Sequence, residues 1–292
     1  MAESNSGMDR FRRMMDSMAF ETLPLFSKPH FSWNLQTDYV GRRFVYRPET
    51  ESTMDDARRM LERFRLTSGA VLLAETQTGG RGRAGRTWVS PPDVNLYFTV
   101  VLLAAPDESR HLAYVTPLAT ALAVEEVAAR QGSQLRADLK WPNDVLIDGK
   151  KVAGILIENT EKESGEPVAL VGVGINVNID VAAYAEIASI ATSLKDVLGV
   201  RVPREEVLAA FCNHFEVLYE EAIVGGRTPF EAWRERLITL GKDVTATGAS
   251  ETIRGLAVDV DEDGALLIET PDSRIVRVEA GDVTLSTERP GV

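Results

Sequence analysis

The chain has 292 residues, with 44 acidic against 32 basic side chains, a net charge of −12 and a pI of about 4.9. Hydrophobic residues at 44% and charged residues at 26% belong to an ordinary globular protein and exclude a disordered, collagen-like or coiled-coil chain. The acidic balance argues against non-specific nucleic-acid binding, which needs many phosphate-neutralising cations. The single cysteine, Cys212, excludes an intrachain disulfide and the Cys-rich zinc patterns, and the three histidines are too scattered for metal-ligand spacing.

Residues 1–40 read as a weakly specified lead-in, a tail or surface strap. Asp9–Met18 suits a short basic helix, and Pro24 and Pro29 then break the chain; a winged DNA-binding domain has no room here. No apolar run reads as long enough to span a bilayer, and no apolar h-region marks a secretory signal, so the cytoplasm is the expected compartment. From Gly41 the texture changes. Arg43–Arg47 alternates like a strand. Thr53–Phe64 predicts a helix, with Thr53 as its cap and Asp55 and Asp56 in a first turn that favours acids. Ala70–Ala74 and Asn95–Leu103 are buried strands on either side of a glycine-rich segment.

Thr116–Arg130 predicts a long Ala-rich helix ended by Gly132. Lys140–Glu158 reads as a hairpin turning at Asp148-Gly149, and Ala169–Val177 as a strand with close-approach glycines. Pro203–Val224 and Phe230–Leu240 are two further helices, the second closed by Gly241. Beyond it, short β-branched runs alternate with turn signals such as Asp263-Gly264, which predicts a small all-β module of about five strands.

The strongest chemical signal is Gln77–Trp88, QTGGRGRAGRTW. Its glycines let the backbone curl around a ligand, and Arg81, Arg83 and Arg86 offer planar forks that match carboxylate and phosphate oxygens. No Lys-Ser/Thr follows, so it is not a Walker loop, and its arginines do not suit a dinucleotide-binding turn. A flexible RGG-like loop is the bland alternative, but loops of that kind are rarely bracketed by buried strands. In the hairpin, the Asp148-Gly149 turn pairs Leu146 with Lys151 and Asp144 with Ala153. Asp144 and Lys151 then project from one face as diagonal neighbours, about 7–8 Å apart, either as a partly buried polar site or as a surface ion pair. Ser52 and Thr53 suit a ligand carbonyl or, by preference, a helix cap. Asn176, in GVGINV, suits a ligand ribose or a turn equally.

These blocks together resemble the biotin protein ligases over about Leu35–Leu285: AETQTGGRGRAGRTWVSPPDVNLYFT (Ala74–Thr99), KWPNDVLIDGKKVAGILIE (Lys140–Glu158), GVGINVN (Gly172–Asn178) and ATSL (Ala191–Leu194). The resemblance implies an α+β chain. A mixed β-sheet flanked by helices, of the class II aminoacyl-tRNA-synthetase-like type, would span 41–240, with an extension at 1–40 and a small SH3-like β-barrel at 241–292. It implies the monofunctional type without an N-terminal DNA-binding domain. The implied activity is ATP-dependent conversion of biotin to biotinyl-5′-AMP with Mg²⁺, then transfer to a lysine of a biotin carboxyl carrier domain.

By the same resemblance Ser52, Thr53 and Met54 (where the family usually has Asn), with Gln77, Arg81, Gly82, Arg83 and Lys151, would hold biotin. Gly80, Arg83, Arg86, Trp88, Lys140, Asn143, Asp144 and Asn176 would line the ATP and adenylate side. Arg81, Arg83 and Lys151 would be catalytic, and Asp144 would stand near the metal. The implied partner is a carrier domain of a biotin-dependent carboxylase, with neither nucleic acid nor membrane; a homodimer is one candidate assembly. The alternatives are a lipoate or octanoate ligase or transferase, and a non-catalytic biotin sensor.

Overall fold

The computed structural model describes residues 26–63, 66–248, 251–279 and 281–285. The basic helix expected at Asp9–Met18 lies outside them, as does Phe64, the expected end of the helix from Thr53. The first described helix, α1 (Lys28–Asn34), was not anticipated. Ser27 accepts a hydrogen bond from His30 N, and Pro29 occupies the first turn, where a missing N–H costs nothing. Pro29 therefore starts a helix rather than breaking the chain.

A mixed seven-stranded sheet organises the larger part of the molecule. Its strands are β1 (Phe44–Thr50), β2 (Ala70–Gln77), β3 (Leu96–Leu102), β4 (Asp138–Lys140), β5 (Asp144–Ile147), β6 (Lys150–Glu161) and β7 (Pro167–Ile175). The spatial order is β1-β2-β3-β7-β6-β5-β4. Only β1 and β2 run parallel; every other neighbouring pair is antiparallel. Helix α2 (Thr53–Arg63) packs on one face of β2, β3 and β7. The opposite face is covered by α4 (Leu112–Arg130), which follows the short α3 (Pro106–Ser109). Beyond β7, α5 (Leu194–Leu198) leads to α6 (Arg204–Ile223) and α7 (Thr228–Glu235), and both pack on α4.

The alternation of β7 assigns its faces. Val168 and Leu170 join the apolar cluster under α2, while Ala169, Val171, Val173 and Ile175 join the larger core under α4. Among the described residues α4 alone is long and apolar enough to cross a membrane, which the sequence reading had not anticipated. It is a core helix, buried along almost its whole length against α6 and the sheet.

A second, antiparallel sheet holds β8 (Asp243–Thr247), β9 (Thr252–Val260), β10 (Leu266–Glu269), β11 (Ile275–Val278) and β12 (Asp282–Leu285), in the order β11-β10-β9-β8-β12. Its buried Val244, Ala257, Leu266 and Ile268 belong to the same apolar cluster as Trp141 and Trp233. The helix expected over Phe230–Leu240 stops at Glu235. Leu139 N donates to Arg236 O and Ile238 N donates to Leu139 O, so the last part of that stretch caps the edge of β4 instead.

Candidate active site

Where α2 begins, the sheet face beneath it loses its side chains. Gly172 faces Met54, and Gly174 stands opposite Gly154 in the β6–β7 ladder. A Cβ on Gly174 would lie 2.5 Å from the Trp88 indole, and one on Gly154 would lie 2.9 Å from both that ring and Lys151. The bare strip floors a cavity of about 480 Å³. Its walls are the start of α2, the arginine loop, the β5–β6 hairpin and the strap 187–191.

At the α2 end, Gln77 at the tip of β2 accepts hydrogen bonds from Thr53 N (2.9 Å) and Thr53 Oγ1 (3.2 Å). Thr99 Oγ1 donates to Thr53 Oγ1 at 2.9 Å. The Thr53 hydroxyl is thus tied to the sheet and does not cap the helix. Ser52, Thr53, Met54 and Gln77 all border the cavity, and Met54 is the buried apolar member.

The arginine loop is a tight flap. Trp88 N donates to Gly80 O and Gly82 N to Arg86 O, which pinches the loop at its neck, while Ala84 (φ 53) and Gly85 (φ +73) make the left-handed tip. Gly82, Arg83, Arg86 and Trp88 border the cavity. Gly80 does not. It sits at the neck, where a Cβ would lie 2.8 Å from Ser90 Oγ and from Trp88 O. Arg81 also borders the cavity, but its guanidinium is held by Asp55 at 2.8 Å through both terminal nitrogens, and this charge-assisted contact raises its pKa. Trp88 Nε1 is buried with no hydrogen-bond partner.

On the hairpin, Asp148 (φ 50) and Gly149 (φ +75) form the expected turn and pair Leu146 with Lys151. The register then shifts. Asp144 opposes Gly154, and Val145 opposes Ala153, because Val152 is an extra residue on β6. Ala153 therefore faces the core, contrary to the expected Asp144–Ala153 pairing. The bulge leaves Lys151 and Asp144 on the cavity face, with Lys151 Nζ 2.5 Å from Asp144 Oδ1 and 5.2 Å from the centre of the Trp88 ring. Lys140 and Asn143 border the same space, and Asn143 Nδ2 donates to Ile155 O.

Asn176 borders the cavity, but its side chain accepts from Asn95 Nδ2 (3.2 Å) and donates to Thr192 O (3.1 Å). These bonds tie the end of β7 to Asn95 and to Thr192. Ile187, Ser189 and Ile190 were missed by the sequence reading; they lie on the strap that Lys151 anchors through Lys151 N→Ile190 O and Thr192 N→Lys151 O. The motif ATSL at Ala191–Leu194 was the only signal near them. No group of three or more His, Cys, Asp or Glu able to hold a metal exists among the described residues, and the Asp144 carboxylate is taken by Lys151. These residues do not form a resident metal cage.

Chemically, the site brings an amine and the arginine flap together over a glycine floor in one cavity. That combination suits an acid with an apolar body and an anionic reacting end.

Residues 46–178 match the Biotin/lipoate A/B protein ligase family, and residues 239–286 match the biotin protein ligase C-terminal domain. The chain is 30% identical to the bifunctional ligase/repressor BirA of Bacillus subtilis, over 89% of this chain and 79% of that one. It is 35% identical to a biotin–[acetyl-CoA-carboxylase] ligase of Paracoccus denitrificans, over 72% of this chain and 88% of that one. Among solved structures, a biotin protein ligase from Aquifex aeolicus in complex with biotin and ATP is 31% identical, with a TM-score of 0.68 over 84% of this chain and 99% of that one.

Proposed function

The chain belongs to the biotin protein ligase family, and from that premise we propose that its cavity converts biotin and MgATP to biotinyl-5′-AMP and then transfers the biotinyl group to a lysine of a biotin carboxyl carrier domain. One observation carries the reading: Lys151, the arginine flap and the hydrogen-bonded Thr53–Gln77 pair all border a single cavity.

The reaction has two displacements. A carboxylate oxygen of biotin attacks the α-phosphorus of ATP, the bond to pyrophosphate breaks, and a mixed anhydride forms. The carrier amine then attacks the activated carbonyl; an amide forms, AMP leaves, and the amine loses a proton. Two anions must meet in the first step, so fixed cations should contribute most of the acceleration. In this reading Lys151 and Arg83 serve the reacting carboxylate and phosphate, and Lys151 exchanges Asp144 for substrate oxygens. Ser52, Thr53 and Gln77 serve the ureido end of biotin, beside Met54. Lys140, Asn143, Arg86 and Trp88 serve the nucleotide; an acceptor on it would satisfy the buried Trp88 Nε1, which otherwise costs about 1–3 kcal/mol. Magnesium accompanies ATP as part of that substrate.

The test mixes purified protein with biotin, MgATP and a carrier domain and weighs the carrier. A gain of one biotinyl group, with AMP and pyrophosphate released, is expected. No gain, or a gain with lipoate in place of biotin, overturns the reading.

A further inference from the structure

The flap is fastened from outside the cavity. Asp55 lies in the first turn of α2 and is not part of the cavity wall. It takes both terminal nitrogens of Arg81 at 2.8 Å, and Arg58 joins it at 3.1 Å. Arg58 also reaches Glu158 on β6 at 2.5 Å, and Arg81 stands 3.9 Å from the same carboxylate. Helix, strand and flap are therefore joined by alternating charges behind the wall. A two-pronged guanidinium–carboxylate contact fixes direction as well as distance, which a single point charge does not. The hydrogen bonds of its own neck and Trp88 lying on the glycine floor also help to hold the flap.

We propose that Asp55 is a positioning residue: by holding Arg81 it seats the flap against the cavity and sets how long the activated acyl intermediate is retained, without contributing to the wall that binds the acid. The inference rests on the reading of the cavity as one that forms an acyl-adenylate. A mixed anhydride that meets water is lost to hydrolysis, so a loosened flap shows as escaped intermediate before it shows as weaker acid binding.

The experiment compares Asp55→Ala, Asp55→Asn and Asp55→Glu with wild type at equal thermal stability. One arm follows trypsin cleavage at the flap arginines in the ligand-free protein. The other follows free biotinyl-AMP released per carrier modified, by chromatography. In Asp55→Ala, cleavage and release should each rise about two- to fivefold, the upper part of the range expected for a partly exposed ion pair. Biotin affinity should stay within about twofold of wild type. Asp55→Glu should return towards wild type, and Asp55→Asn should fall between; Asp55→Asn serves alone where the alanine variant does not fold. Wild-type cleavage in both Asp55→Ala and Asp55→Asn overturns the latch. Faster cleavage with unchanged retention overturns its link to the intermediate. A wild-type protein that forms no biotinyl-AMP defeats the acyl-adenylate reading instead, and the protease arm still decides the latch.

Discussion

At the scale of single residues, the site depends on which side chains the sheet omits. Gly174 and Gly154 face each other in neighbouring strands, and the Trp88 indole fills the space both leave. Gly174→Ala places a methyl group 2.5 Å from that ring, so the indole must lift. The expected result is a stability loss of about 1–3 kcal/mol, with a shift in tryptophan emission; a variant with wild-type stability and emission would show that Trp88 is not seated on the floor. Lys151 is the other decisive residue. Lys151→Ala should slow pyrophosphate release by about a hundredfold, the scale of losing one preorganised charge at a reacting centre. Biotin affinity should change by less than about tenfold, and equal losses in both would assign Lys151 to binding alone.

At the scale of elements, β2 and α6 are joined by a buried ion pair. Arg204 Nη1 lies 2.5 Å from Glu75 Oε2, and the two side chains are 5% and 2% exposed. Burial alone would raise the Glu75 pKa, but Arg204, Phe26 N–H and the Tyr46 hydroxyl all donate to the carboxylate, and together they hold it below the usual range. A depressed folded-state pKa adds stability above the unfolded value of about 4.3 and loses it as pH falls through the folded one. Denaturation midpoints of the wild type should therefore fall below about pH 4. Arg204→Met should cost about 3–5 kcal/mol at neutral pH, because it strands the Glu75 charge, and it should flatten that acid dependence. An unchanged acid profile would show that the pair does not carry it. On the same helix α6, Cys212 is wholly buried and burial pushes its thiol pKa up. Thiol reagents should leave it untouched in buffer and react fully in denaturant; labelling of the native protein would mean that α6 opens locally.

At the scale of the whole molecule, the second sheet is not an appendage. Trp141, next to the cavity residues Lys140 and Asn143, donates its indole N–H to Gly264 O at 2.9 Å in the β9–β10 turn. Arg234 of α7 grips Asp259 of β9 through 2.6 and 3.0 Å contacts. Because one apolar cluster runs through both sheets, thermal unfolding should be a single cooperative transition. Far-ultraviolet circular dichroism and tryptophan fluorescence should coincide; two separated midpoints would mean that the second sheet melts by itself.

The sequence by itself determined whatever depends on near neighbours. Asp148-Gly149 dictated the hairpin turn, Ala169–Val177 read as a strand with close-approach glycines, and the glycine- and arginine-rich run marked a flap between two buried strands. The ordered motifs also carried the family resemblance. The tertiary structure alone decided the long-range partners. The sequence marks Arg81 as a planar cation, but that its guanidinium meets Asp55, 26 residues earlier, is a matter of the fold. The same holds for Asn176, whose bond with Asn95, 81 residues away, no local pattern announces. The bulge at Val152 and the early end of α7 arose in the same way, because a strand edge or a distant carbonyl outweighed a local preference. Periodicity and turn chemistry act over a few residues, whereas a side chain's hydrogen-bond partner is chosen by what the folded sheet brings within about 3 Å.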